Sequence, residues 1–143
     1  MLVLSFSTES YSDTFLFSKD NISFGCLDCG ISDERSICSL YGNYGLEHSE
    51  YSIWNANGIG NLQRLESPFS KNGKGLGIFD STGDFKGHLH IGNSETNEFS
   101  KLLNYAYSDA KQSHSRTKQN FCKLMRQKNW ILNKKYDWLR DFE

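Results

Sequence analysis

Hydrophobic residues change their spacing along this chain, and each change predicts an element. Between residues 1 and 35 they alternate loosely with polar ones, as in Leu2-Leu4-Phe6 and Phe15-Phe17, the period-two pattern of strands whose faces differ. Ser18-Lys19-Asp20-Asn21 parts two such runs with turn-favouring residues, which predicts a hairpin. The stretch from Lys19 to Asp28, Lys-Asp-Asn-Ile-Ser-Phe-Gly-Cys-Leu-Asp, is echoed by Ser-Thr-Gly-Asp-Phe-Lys-Gly-His-Leu-His from Ser81 to His90, with Gly25 aligned on Gly87 and Leu27 on Leu89. A glycine inside a strand marks a bulge or a close backbone approach. These two strands are therefore expected to lie beside one another in a small, mainly antiparallel sheet.

After about Asn97 the period moves to 3.6. Phe99, Leu102, Leu103, Ala106 and Tyr107 share one face of a predicted helix that Thr96 is placed to cap. A second helix is expected from Ser115 or Thr117. Its apolar positions run through Phe121, Leu124, Met125, Ile131, Leu132, Trp138, Leu139 and Phe142, with a break near Asn133. The expected fold is one α+β domain over residues 1–143, in which a twisted antiparallel sheet with a Gly/Tyr-rich repeat region fills 1–96 and two C-terminal helices form a basic tail over 97–143.

Between strands and helices runs a near-repetition. Ser36-Ile37-Cys38-Ser39 returns as Ser52-Ile53-Trp54-Asn55 and again as Ser67-Pro68-Phe69-Ser70. Units of this kind specify a backbone path, each supplying the same turn and the same inward side chain. Phe24-Gly25-Cys26-Leu27-Asp28-Cys29, the run from Ser36 to Gly45, and Tyr51-Ser52-Ile53-Trp54-Asn55 together resemble a family of uncharacterised bacterial proteins with a G-C-L-N-C motif followed by tandem S-I-x-N-x-Y-G-x-Y-G-S-x-Y-S units. In that family a D-G-x-F-x-G-x-L strand tends to follow, which Gly83-Asp84-Phe85-Lys86-Gly87-His88-Leu89 is similar to. The resemblance covers about residues 18–92 and implies an architecture without an activity. Leu46 stands where that pattern has serine, Asn57 where it has tyrosine, and no Pro-Pro follows the last unit.

The 143 residues are 37% hydrophobic and 14% aromatic, with a single proline and 12 glycines, a composition that excludes general disorder and puts the turns on Gly, Asn, Asp and Ser. No basic residue precedes the apolar start, and no stretch approaches the ~20 apolar residues of a membrane span. The expectation is a soluble, cytoplasmic chain that does not engage a membrane, with its four cysteines held as thiols and a disulfide framework as the weaker reading. The net charge of −1 conceals a split: residues 1–98 hold 6 Lys/Arg against 13 Asp/Glu, and residues 99–143 hold 10 against 4. Such a split fits an anionic partner at the basic end, or two halves that face each other across the fold.

Several constellations could carry chemistry. Cys26 and Cys29 have zinc-knuckle spacing, and alternation from Gly25 and Gly87 would add His88 and His90 to form a zinc site; buried cysteines and surface histidines are the competing reading. A redox role for the same C-x-x-C is weaker, because the motif does not open a helix in a βαβ unit. Asn72-Gly73-Lys74-Gly75-Leu76-Gly77 lacks the ending of a phosphate-binding P-loop and reads as a connection. No serine sits in a nucleophile elbow and Cys38 has no nearby base, so no enzyme signature stands out. Tyr41, Tyr44, Tyr51, Trp54 and Phe69 fit either a stacking platform or a core. In the basic tail, Arg116, Lys118, Lys123, Arg126, Lys134 and Lys135 could neutralise phosphates. The expected function is a non-enzymatic binding module with nucleic acid as the anionic partner. The alternatives are a protein-binding inhibitor or regulator of a bacterial or mobile-element system, and a zinc-stabilised or zinc-dependent domain.

Overall fold

A computed structural model describes residues 13–92 and 97–128. Four strands, β1 (Thr14–Phe17), β2 (Ser23–Cys26), β3 (Leu76–Asp80) and β4 (Phe85–Leu89), form an antiparallel sheet in the order β2-β1-β3-β4. Two helices follow, α1 (Glu98–Asp109) and α2 (His114–Gln127). The α+β class expected from the pattern is what the chain forms. The runs around Leu2-Leu4-Phe6 and from Ile131 to Phe142, with the break near Asn133, lie outside the described residues.

The hairpin of β1 and β2 turns at Ser18, whose Oγ accepts the Asp20 and Ile22 backbone N–H groups at 3.2 and 3.1 Å, and Asn21 takes the left-handed conformation at φ 65°. The pairing of the two glycine-bearing strands is corrected: β2 and β4 occupy opposite edges of the sheet. The cause is β1, which is apolar on both faces and takes a central place beside β3. Leu16 lies opposite Ile78 on the buried face, while Phe15 lies opposite Phe79 on the other. Gly25 does mark a bulge. It adopts φ 102°, and a Cβ there would fall 2.6 Å from the Tyr44 Cβ.

Forty-nine residues separate β2 from β3, and most are organised by turns rather than strands. From Leu46 to Ser70 every third residue donates its N–H to the carbonyl three positions back: Ser49, Ser52, Asn55, Gly58, Asn61, Arg64, Ser67 and Ser70. Successive β-turns thus share their corner residues. Side-chain oxygens at these corners accept the N–H two positions on, as Ser52 does from Trp54 and Ser67 from Phe69, both at 3.1 Å, which explains the excess of Ser and Asn at this spacing. Five turns make 15 residues, the interval from Ser52 to Ser67. Between Ser36 and Ser52 the interval is 16, because Gly45 and Leu46 both donate to the Gly42 carbonyl and one residue is added.

The three four-residue units stack through their inward side chains. Trp54 Nε1 donates to the Ile37 carbonyl at 2.7 Å, and the Trp54 ring meets Phe69 at 6.2 Å and Phe121 of α2 at 6.0 Å. Phe69 continues to Tyr107 of α1 at 4.9 Å. The first unit joins the sheet where Ile37 N–H donates to the Cys26 carbonyl, and the last is tied to the segment just after β4, where Ile91 N–H donates to the Pro68 carbonyl. Leu16, Ile78 and Leu89 from the sheet, Ile37, Ile53, Trp54 and Phe69 from the turns, and Leu103, Phe121 and Met125 from the helices make one continuous core.

The helix face expected for α1 is the one buried, with Leu102, Leu103, Ala106 and Tyr107 inside. Its cap is Asn97, whose side chain accepts the Ser100 N–H at 2.8 Å; Thr96 lies outside the described residues. Ser113 caps α2 in the same way. The expectation of free thiols is corrected, since Cys26 is bonded to Cys29 and Cys38 to Cys122. The spacing could not reveal the second pair, which joins residues 84 positions apart. None of the described helices is long and apolar enough to cross a membrane.

Candidate functional site

Strand alternation builds a row of aromatic side chains on the face of the sheet turned away from the core. The register puts Phe15 beside Phe79, Phe17 beside Gly77, and Phe79 beside Phe85. The Phe17 and Phe79 rings meet edge to face at 5.8 Å, Phe79 meets Phe85 at 5.4 Å, and Phe85 meets the His88 imidazole at 5.0 Å. Such contacts order the rings and fix their orientation. Gly77 makes the row possible: a Cβ there would lie 2.7 Å from Cε1 of Phe79, so the ring crosses the strand where a side chain is missing. Phe85 is 54% exposed, and Phe15, Phe17 and Phe79 are part-buried.

Two troughs flank the row. One, of about 460 Å³, is walled by Phe17, Phe79 and Phe85 and bounded by Leu65, Glu66 and Lys74. The other, of about 470 Å³, lies between Phe15, Phe17 and Phe79 and is bounded by Asn21, Asp80 and Gly83. Charges of both signs line the rims. Lys86 Nζ is 3.5 Å from Asp80, and Arg35 pairs with Asp13 at 2.9 Å and Asp33 at 2.7 Å while its guanidinium lies over the Phe15 ring at 5.5 Å. The Thr82 hydroxyl, the Asp84 and Thr82 N–H groups and nearby Lys86 together hold the Asp80 carboxyl down at about 2. Hydrogen bonding from Arg35 similarly lowers Asp33.

The residues expected to bind zinc are not brought together. Cys26 and Cys29 are joined to each other at one edge of the sheet, whereas His88 and His90 belong to the opposite edge and its continuation, roughly 14 Å away at the usual strand spacing. His90 is buried with both ring nitrogens engaged: Nε2 faces the Ser70 carbonyl and Nδ1 accepts the Gly92 N–H at 3.0 Å. Asp13 and Asp28 are the groups that approach the two cysteines, with donor atoms all within 4.8 Å of one another. With the sulfurs bonded together, thiolate ligation is closed to that cluster.

The cationic residues of α2 divide by role. Lys118 is part-buried and donates from Nζ to the carbonyls of Ser39 and Gly45 at 3.1 and 2.7 Å, so it closes the first turns of the ribbon. Burial lowers its pKa, against an opposing attraction from Glu47. Arg116 and Lys123 are exposed two turns apart, Arg126 is part-buried, and Lys134 and Lys135 lie outside the described residues. Of the aromatic residues singled out in the repeats, Trp54 and Phe69 are core and Tyr41 is 81% exposed. The sheet-face row escaped sequence reasoning. Its signal was present in Thr14-Phe15-Leu16-Phe17, a strand apolar at both parities, and in the same parity at Phe79.

No family model, curated protein or solved structure matches the chain.

Proposed function

We propose that this protein is a non-enzymatic binding module whose partner is another protein, docked on the aromatic outer face of the sheet. The observation that carries this reading is the row Phe17-Phe79-Phe85, three rings in successive contact on a sheet face turned from the core, with two apolar troughs beside them. Concave apolar surface edged by a few polar groups suits side-chain insertion from a partner, and preordered rings lose little rotamer freedom on binding. The mixed rim supports a protein over a polyanion. Arg35 and Lys86 are paired with carboxylates, and Lys19 and Lys74 share the first trough with Glu66, so the charges around the face are of mixed sign.

The test is affinity capture from nuclease-treated lysate with three versions of the full chain. The wild type and the Arg116→Ala/Lys123→Ala variant should retain the same partner, and Phe79→Ser/Phe85→Ser should lose it while keeping its far-UV spectrum. Retention by the phenylalanine variant would overturn the reading. A second reading, nucleic acid on α2, is supported by the exposed pair Arg116 and Lys123. It predicts salt-sensitive binding of labelled DNA or RNA that is lost in the Arg116→Ala/Lys123→Ala variant.

A further inference from the structure

The segment after β4, the C-terminal half of α1 and the turn into α2 enclose a cavity of about 300 Å³ that shares no residue with the two troughs of the sheet face. Its walls are fixed by the fold. Ile91 and Gly92 form one side, held by N–H bonds to the Pro68 carbonyl and to His90 Nδ1, both at 3.0 Å. Asn104, Tyr107 and Ser108 form another, brought together by helical spacing along α1. Gln112 closes the end. Its N–H returns to the Tyr107 carbonyl at 3.0 Å, and both it and Lys111 take the left-handed conformation, at φ 67° and 53°, which is uncommon for residues with a Cβ. Lys71, just past the last turn of the ribbon, completes the lining.

The polar side chains of this cavity are not used by the fold. Lys71, Asn104, Tyr107, Ser108 and Gln112 make no side-chain hydrogen bond or ion pair to any described residue. Tyr107 is the decisive member. It is 4% exposed, its ring is packed against Phe69 at 4.9 Å and His114 at 6.1 Å, and its hydroxyl has no partner among the described residues. A buried hydroxyl left in that state is costly, and in a cavity wall it points to a ligand. Burial also raises the Tyr107 pKa, so the phenol remains a donor.

We propose that this cavity binds a small hydroxylated carboxylate, a sugar acid in chemical class. The Lys71 ammonium is the one charge in the lining, and no carboxylate competes for it there. Asp109, next to Ser108 in sequence, instead accepts from Asn120 of α2 at 3.4 Å. The carbonyls of Tyr107 and Ser108, which would repel an anion at this end of α1, are occupied by the N–H groups of Gln112 and Lys111 at 3.0 and 3.2 Å. A single ammonium balances a single negative charge, whereas a phosphate dianion calls for further cations or an arginine fork, and the lining has neither. The two amides and two hydroxyls both donate and accept, as the hydroxyl groups of a sugar acid do. The volume lies at the small end of ligand cavities and suits one such molecule.

The experiment titrates the full, isotope-labelled chain with gluconate and follows backbone amide shifts, with sorbitol, acetate and inorganic phosphate as comparison probes. Gluconate should give saturable shifts at Gly92, Asn104, Tyr107, Ser108 and Gln112 and none at Phe79 or Phe85, so the outcome is independent of partner docking on the sheet face. Sorbitol lacks the charge and acetate lacks the hydroxyls, and each should bind about tenfold more weakly or worse. Lys71→Met should weaken gluconate by a similar factor. Tyr107→Phe should weaken it several-fold while leaving the urea midpoint of the ligand-free protein no lower than that of the wild type, because the hydroxyl has no partner to lose. A lower midpoint for Tyr107→Phe would place that hydroxyl in the fold and overturn the proposal. So would the absence of saturable gluconate shifts, or phosphate or sorbitol binding as tightly as gluconate.

Discussion

Replacing Cys38 and Cys122 together by alanine should destabilise the protein by about 5–6 kcal/mol, most of it through the unfolded chain. The bond spans a separation of 84 residues, and the loop-closure relation for a ring of that size gives about 4.5 kcal/mol at 25 °C. Truncating Cys38, which is 3% exposed, adds roughly 1 kcal/mol for lost contacts. The remaining contacts of α2, Phe121 on Trp54 and Lys118 on the Ser39 and Gly45 carbonyls, keep the helix docked. Urea unfolding followed by tryptophan fluorescence should show a lower midpoint and a steeper m-value, because the uncrosslinked chain exposes more surface. The same relation gives only about 2 kcal/mol for Cys26→Ala/Cys29→Ala. Domains of this size are stable by about 5–15 kcal/mol, so the long bridge accounts for a large part of the total. An unchanged midpoint, or equal losses from the two pairs, would refute the reasoning.

Trp54→Ala should cost about 3–5 kcal/mol in the same assay, since the side chain is 1% exposed and its Nε1 bond to the Ile37 carbonyl holds two stacked units together. Lys118→Met should cost about 1–2 kcal/mol by leaving the Ser39 and Gly45 carbonyls without their donor. Because burial lowers the Lys118 pKa from 10.5, the unfolded chain binds more protons between the lowered value and 10.5. The wild type should therefore gain stability as pH rises through that window, and Lys118→Met should lose the slope. On the acid side, Asp80 stabilises the β3–β4 turn above the unfolded value of 3.8, and this contribution is lost as pH falls toward about 2. The Thr82 and Asp84 amide resonances should shift through that range and stay fixed in Asp80→Asn.

Strand and helix positions were legible because each element carries its own period. Phe15 and Phe17 mark the strand, although the position that excludes water is Leu16 between them, and Leu102, Leu103 and Ala106 on one stripe mark the buried face of α1. The order of strands was not legible, since the matching of Gly25 to Gly87 reports a shared local need for a bulge and says nothing about adjacency. The stacked units were visible at intervals of 16 and 15 residues, but the shorter period of three was hidden. Gly58 and Arg64 fill corners where serine or asparagine stands elsewhere, and a β-turn accepts many residues at that corner. The engagement of Lys118 was hidden for a related reason. In sequence it belongs to a run of cations, and only the fold reveals that two turn carbonyls stand at the end of its side chain.

That contact bears on the charge split, and through it on function. A ribbon of shared turns directs carbonyls outward where neither sheet nor helix satisfies them, and such acceptors attract cations as carboxylates do. Lys118 lies against two of those carbonyls, and Ser115 donates to Glu47 at 3.1 Å from the same face of α2. Part of the positive charge of the C-terminal half therefore answers to the N-terminal half of the same chain. Net charge counts these groups as if all were available to a partner, and so overstates the positive charge that is free to meet one. The aromatic sheet face contributes almost nothing to net charge and yet places three ordered rings on an outward surface. The proposed reading accordingly rests on the apolar row ordered by its own contacts, and sets it ahead of a basic stripe partly engaged by its own protein.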